Sequence, residues 1–178
     1  MERNLGADIY LESIFTPFAE ALEREPRRVL RPGESMTDAS TRFYDRLRGS
    51  GGYFRNGYNS GDVMHAMGLS WGIVGNMLDD RKYLPVERAR ELIALIEARP
   101  LTRDQAIAVM LGDVSGQARC AGKLIEVFSD KMPQSKQYQP PATAEIDRGL
   151  AFLIARRDEL LAILRKSVEL NEPLLCSL

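Results

Sequence analysis

The sequence is poor in the residues that mark several common functional classes. Its 178 residues carry 24 Lys and Arg against 25 Asp and Glu, and this balance argues against a domain built to neutralise nucleic-acid phosphates. Two cysteines are too few for a disulfide scaffold, and the single histidine, His65, excludes most multi-histidine chemistry. No apolar run approaches the roughly 18 residues that a membrane span requires. We therefore expect no metal, no cofactor and no membrane partner.

What is present indicates one ordinary domain over residues 1–178. A chain of this length buries roughly 70% of the surface that it exposes when unfolded, so it needs no disulfide or metal to hold a core. The first residues, from Met1 to Arg3, do not resemble a signal peptide, and we expect a cytoplasmic protein. Residues 132–142, MPQSKQYQPPA, are rich in proline and predict a connecting loop.

Helical signals dominate the rest of the chain. Thr16 before Pro17 predicts a helix start, Thr102 with Gln105 predicts a capping box, and 143–170 has the apolar spacing of one long helix. No stretch alternates apolar and polar side chains over six residues, so the sequence predicts no β-sheet. The expected fold is all-α, an irregular helical bundle closed by the long C-terminal helix. The predicted helices are 16–25, 37–49, 60–67, 70–80, 86–98, 103–111, 116–129 and 143–170, and residues 7–15 fit either a helix or an extended segment.

Residues 60–96 resemble the helix-turn-helix headpiece of lac-repressor-type regulators. The matching residues are Gly68, Leu69, Ser70, Val74 and Leu78. The resemblance implies that a recognition helix presents Ser70, Trp71, Gly72, Gly75 and Asn76 to the major groove. The chain departs from this pattern because that helix carries no Lys or Arg and ends in Asp79-Asp80. Two short core helices joined by a glycine turn are the alternative interpretation.

Three segments resemble a family of small bacterial proteins with no assigned function. They read GADIYLESIF near the beginning, GYFRNGYN followed by MGLSW in the middle, and VELNEPLLCSL at the end. The chain departs from the family pattern at Asn56-Gly57, where the family has Asp-Ser, and at Gly72, where it has a second tryptophan. The resemblance implies an all-helical fold and supplies no reaction, cofactor or catalytic residue.

The segment 53–59 is the most unusual part of the sequence because it concentrates aromatic, guanidinium and amide groups beside glycines. Tyr and Arg are enriched at interaction hot spots, and binding residues often lie on loops. The segment can also be structural, with Tyr53 and Phe54 in the core and with Arg55 and Asn59 capping helix ends. The candidate binding residues are Tyr53, Phe54, Arg55, Asn56, Tyr58, Asn59, Asp62, His65 and Trp71.

Three functional hypotheses follow from these residues. The first is a non-enzymatic helical protein that binds a protein partner through 53–59 and the adjacent helices. The second is a DNA-binding regulator with a degenerate helix-turn-helix at 60–96, although the charge balance makes nucleic acid the less favoured partner. The third is an enzyme in which Arg55, Asp62 and His65 converge on one pocket. No residue is assigned a catalytic role.

Overall fold

The computed structural model describes residues 7–24, 33–35, 42, 45–56, 63–110 and 143–178. The strands in chain order are β1 (Ala7–Tyr10), β2 (Tyr53–Asn56), β3 (Tyr83–Leu84) and β4 (Leu174–Ser177). The helices are α1 (Glu12–Arg24), α2 (Val63–Ala66), α3 (Trp71–Gly75), α4 (Val86–Glu97), α5 (Arg103–Met110) and α6 (Thr143–Leu170). Residues 45–49 are also helical.

The four strands form one antiparallel sheet in the order β2-β1-β4-β3. The prediction of an all-α helical bundle is therefore wrong, and the protein combines helices with a sheet. Each strand has only two to four residues, which is too short to show alternation over six positions. The pairing also joins distant parts of the chain, since Ile9 of β1 lies opposite Cys176 of β4. A local sequence pattern does not indicate which distant segments pair.

The three segments that resemble a bacterial family contain three adjacent strands of this sheet. GADIYLESIF includes β1, GYFRNGYN includes β2 and VELNEPLLCSL includes β4. Residues 7–15, which the sequence left undecided, are extended over β1 and helical from Glu12 onward. The motifs are therefore brought together by strand pairing.

The core lies between one face of the sheet and the helices. The long helix α6 contacts α2, α4, α5 and β2, so it packs on the core side of the sheet. The largest fully buried side chains include Ile9, Leu11, Phe54, Met64, Met67, Leu84, Leu92, Ile96, Leu160, Leu164 and Leu174.

Several helix predictions are confirmed in the described residues. The helix α6 has the predicted bounds, and Asn171, in the left-handed region with φ of 51°, follows its last residue. The predicted capping box is present: the Thr102 amide donates to Gln105 Oε1 at 2.6 Å, and the Gln105 amide donates to Thr102 Oγ1 at 3.3 Å. The helix α4 begins at Val86 as predicted.

Other predicted boundaries are wrong. The helix α1 begins at Glu12, and Pro17 lies inside it. The earlier start is possible because Glu172, just after α6, accepts a bond from the Ser13 amide at 3.0 Å in the first turn of α1. The helix predicted over 70–80 ends at Gly75. The predicted helix 116–129 and connecting loop 132–142 lie outside the described residues.

Candidate functional site

The described part of the unusual segment, Tyr53–Asn56, is a strand at the edge of the described sheet rather than a loop, and its side chains divide between two faces. Phe54 and Asn56 point into the core, and Phe54 is only 1% exposed. Arg55 points to the opposite face, beside Asp8 of β1. Tyr53 lies on that opposite face too, because side chains alternate along a strand.

The opposite face of the sheet, called the outer face below, carries two rows of side chains. The register places Tyr10 between Tyr53 and Leu175, and Leu175 between Tyr10 and Tyr83, so one row crosses all four strands. We call these four residues the tyrosine row. The second row consists of Arg55, Asp8 and Ser177, which the register places side by side.

Asp8 organises the second row. Its Oδ1 accepts a hydrogen bond from the Tyr53 hydroxyl at 2.7 Å and lies 3.7 Å from Arg55 Nε. Burial, reinforced by the bond to Asp8, raises the pKa of Tyr53 far above its ordinary value. The phenol therefore stays protonated at neutral pH and acts as a donor. The arrangement holds the Tyr53 and Arg55 side chains beside the Asp8 carboxylate.

Residues of α1 and of the 45–49 segment cover one end of the tyrosine row. Phe15 packs edge-on against Tyr10 with ring centroids 4.6 Å apart, and it lies 5.6 Å from Tyr53. Tyr53 also contacts Tyr10 at 5.3 Å and packs with Leu47. Tyr53 is thereby buried, whereas Tyr10 stays half-buried. Within the tyrosine row, the accessible residues are therefore Tyr10, Leu175 and Tyr83, which are half-buried.

At that other end, Tyr83 is anchored by α1. The Tyr83 hydroxyl donates to Glu12 Oε2 at 2.8 Å, and this bond raises the pKa of Tyr83. Both backbone groups of Tyr83 bond to Asp79, whose Oδ1 accepts from the Tyr83 amide and whose amide donates to the Tyr83 carbonyl. The backbone groups of Tyr83 at the outer edge of β3 are thus bonded within its own turn. A partner can therefore contact the face of the sheet here, but it cannot pair with this edge.

On the core side of the sheet, the Phe54 ring contacts both Trp71 and Arg156. The rings of Phe54 and Trp71 are 6.3 Å apart, and the Arg156 guanidinium carbon lies 4.6 Å from the Phe54 centroid. Trp71 is only 4% exposed. Its indole therefore packs in the core instead of extending the outer face.

The other candidate residues that the structure describes lie away from the outer face. His65 is half-buried on α2, which packs against α5 and α6 on the core side of the sheet, whereas Arg55 lies on the outer face. Tyr58, Asn59 and Asp62 lie outside the described residues. Asn56 belongs to β2 but faces the core.

Several residues of the outer face were missed by the sequence analysis. Asp8 and Tyr10 stand in the segment GADIYLESIF, and Leu175 and Ser177 stand in VELNEPLLCSL. The alternation of buried and half-buried residues in β1 is real but extends over only four positions. Treating these segments as strands would have placed the residues on a common face.

Within the ranges that the structure describes, no three His, Cys, Asp or Glu side chains are grouped so that they could hold a metal ion. In the same ranges, no helix combines the length and the apolar character that crossing a membrane requires. Comparison of the chain with family models, curated proteins and solved structures gives no match.

Proposed function

We propose that this protein binds a protein partner through the outer face of its sheet. The observation that carries the proposal is the tyrosine row, in which four strands contribute neighbouring side chains to one face beside the Arg55–Asp8 pair. Tyrosine and arginine are the side chains most enriched at interaction hot spots. Of the candidate binding residues of the sequence hypothesis, Arg55 is the described one that is accessible on this face, whereas Tyr53 belongs to the row but is buried.

The exposure of the face supports this function. Arg55 and Asp8 have 37% and 28% of their side-chain surface exposed, so they can make further contacts without leaving their pair. Tyr10, Tyr83 and Leu175 are half-buried. Side chains that are already ordered by packing lose little conformational entropy on binding.

The existing bonds also define the kind of partner. The Tyr83 hydroxyl already donates to Glu12, so a partner meets the rings of Tyr10 and Tyr83 and the Leu175 side chain, which are half-buried. We therefore propose a partner segment with an apolar centre over Leu175 and a polar rim beside the Arg55–Asp8 pair. Such a centre with a polar rim is the common anatomy of protein interfaces.

The proposed location is the cytoplasm. Its support is the low cysteine content, two cysteines in 178 residues.

A pair of neighbouring substitutions tests the binding face. Ser177→Arg places a bulky cation on the outer face, whereas Leu178→Arg makes the same change one residue later, where the leucine is exposed and directed toward α3. Both proteins and the wild type are immobilised and used to capture partners from an extract of the source cells. We expect proteins that are retained by wild type and L178R and lost with S177R.

Two outcomes would contradict the proposal. In the first, S177R keeps its circular dichroism spectrum and melting temperature and still retains every captured protein. In the second, the wild type captures nothing beyond what an unrelated immobilised protein captures. A partner lost equally with both variants would place the binding surface elsewhere near the C-terminal strand.

A further inference from the structure

The exposed side of α6 carries a regular row of residues that we call the α6 seam. It consists of Arg148, Phe152, Ala155, Glu159 and Ala162, whose spacings alternate between four and three residues. This is the spacing of the a and d positions in a coiled coil, which keeps residues on one side of a helix. All five residues are exposed, and Phe152 is 44% exposed.

The seam is distinct from the buried side of α6. The buried side carries Leu153, Leu160 and Leu164, which belong to the packed interior. A large aromatic side chain followed by two alanines is unusual on the solvent-exposed part of a helix whose buried leucines already supply the core. Small residues next to a large one allow a second helix to approach closely.

From this seam we propose that two copies of the chain associate by antiparallel packing of their α6 helices. A two-fold axis between residues 153 and 154 places Phe152 of one copy opposite Ala155 of the second copy. Large residues then meet small ones in both central layers. In a parallel pair, Phe152 would meet Phe152 and alanine would meet alanine.

The charges of the seam select the same orientation. The same two-fold axis brings Arg148 of each copy to Glu159 of the other, so the central layers are flanked by two ion pairs. A parallel pair would set Arg148 against Arg148 and Glu159 against Glu159, which is repulsive. Glu159 also accepts a bond from Arg156 of its own chain, yet its side chain remains 46% exposed. A carboxylate has room for a second donor.

The pairing uses none of the residues of the proposed binding face. The α6 seam consists of residues of α6, and the outer face consists of residues of the four strands. A dimer through α6 therefore presents two outer faces, which raises the avidity for a partner with two binding segments. The inference is independent of the proposed function.

Sedimentation-velocity measurements on the full chain test the pairing. A seam of this length buries less than about 1,000 Å², so we expect a weak dimer with a dissociation constant on the order of 100 μM. Phe152→Ala and Arg148→Glu should each weaken it by about tenfold, and Glu159→Gln by about twofold to threefold. The double variant R148E/E159Q should dimerise more tightly than R148E, because the Glu–Glu contact is relieved.

The matched control is Arg88→Glu, which reverses an exposed charge on α4 that pairs with Glu91. It should leave the dissociation constant within about twofold of wild type. A wild type that stays monomeric up to about 500 μM, or an R148E variant that dimerises as tightly as wild type, would overturn the inference. Tighter association of E159Q would show parallel pairing and overturn it as well. S177R should sediment like wild type, so a loss of partner binding can be distinguished from a loss of the dimer.

Discussion

Arg156 of α6 donates a hydrogen bond to the backbone carbonyl of Arg55 in β2. The Leu11 amide donates to the Gly52 carbonyl, and the alternation of an antiparallel pair then turns the Arg55 carbonyl away from β1. Arg156 thus occupies a backbone acceptor on the side of β2 that faces no strand among the described residues. One buried guanidinium joins the sheet edge, the Phe54 ring and the long helix.

Replacing Arg156 should therefore destabilise the fold. Arg156→Met keeps much of the apolar stem but leaves the Arg55 carbonyl without this donor, and we expect a loss of about 2 kcal/mol in the free energy of unfolding. Urea denaturation followed by circular dichroism measures it. Arg88→Met, at an exposed arginine, should change the value by less than about 0.5 kcal/mol. Equal effects of the two substitutions would contradict the role of Arg156.

Gly52 is required by a close contact between the start of β2 and α1. A Cβ at this position would lie 2.7 Å from Ile14 Cβ and 3.1 Å from the Phe15 amide nitrogen. Gly52→Ala should cost about 1–3 kcal/mol because the backbone must shift. A Cβ at Gly49, at the end of the 45–49 helical segment, would meet nothing within 4 Å. Gly49→Ala should be neutral or stabilising by up to about 1 kcal/mol, and the opposite ranking in urea denaturation would refute this packing.

The Cys176 thiol should make stability fall at alkaline pH. Burial raises its pKa from 9.0 to about 12, so the unfolded chain releases this proton at lower pH than the folded chain. The contribution is complete below pH 9 and is lost as the pH rises toward 12, at about 1.4 kcal/mol per pH unit. Between pH 8 and 10.5, wild type should therefore lose about 2 kcal/mol more than Cys176→Ala. Parallel losses in the two proteins would show that this thiol ionises normally.

Tyr53 and Asp8 should be energetically coupled. Tyr53→Phe removes the hydroxyl that donates to Asp8, and Asp8→Asn removes the negative charge of the acceptor. A double-mutant cycle by chemical denaturation should give a coupling of about 1–2 kcal/mol, because a bond to a charged acceptor is stronger than a neutral one. Tyr83→Phe, whose bond to Glu12 is exposed, should have a smaller effect. A cycle with no coupling would mean that the bond adds nothing to stability.

The contrast between α6 and the sheet shows what the sequence could predict. The apolar spacing of α6 runs through 28 residues, and Asn171 and Pro173 mark its end, so its bounds follow from local pattern. The strands β1 and β4 have four residues each and meet from opposite ends of the chain. Their stability comes from contacts that no window of sequence contains.

The candidate site was predictable only in part for the same reason. Tyr53 and Arg55 were found because unusual residues are concentrated around them. Asp8 and Leu175 have no local distinction, and only the register brings them beside Tyr53 and Tyr10. Trp71 was grouped with the site by its position in sequence, whereas packing against Phe54 places it in the core.

Site-specific photocrosslinking tests the proposed binding face most directly. A photoreactive phenylalanine derivative is placed at Ser177, which is exposed on the outer face, and separately at Glu91, which is exposed on α4. After irradiation in an extract of the source cells, we expect a covalent adduct with a captured partner from position 177 and none from position 91. A partner that crosslinks from position 91 and not from position 177 would contradict binding through the outer face.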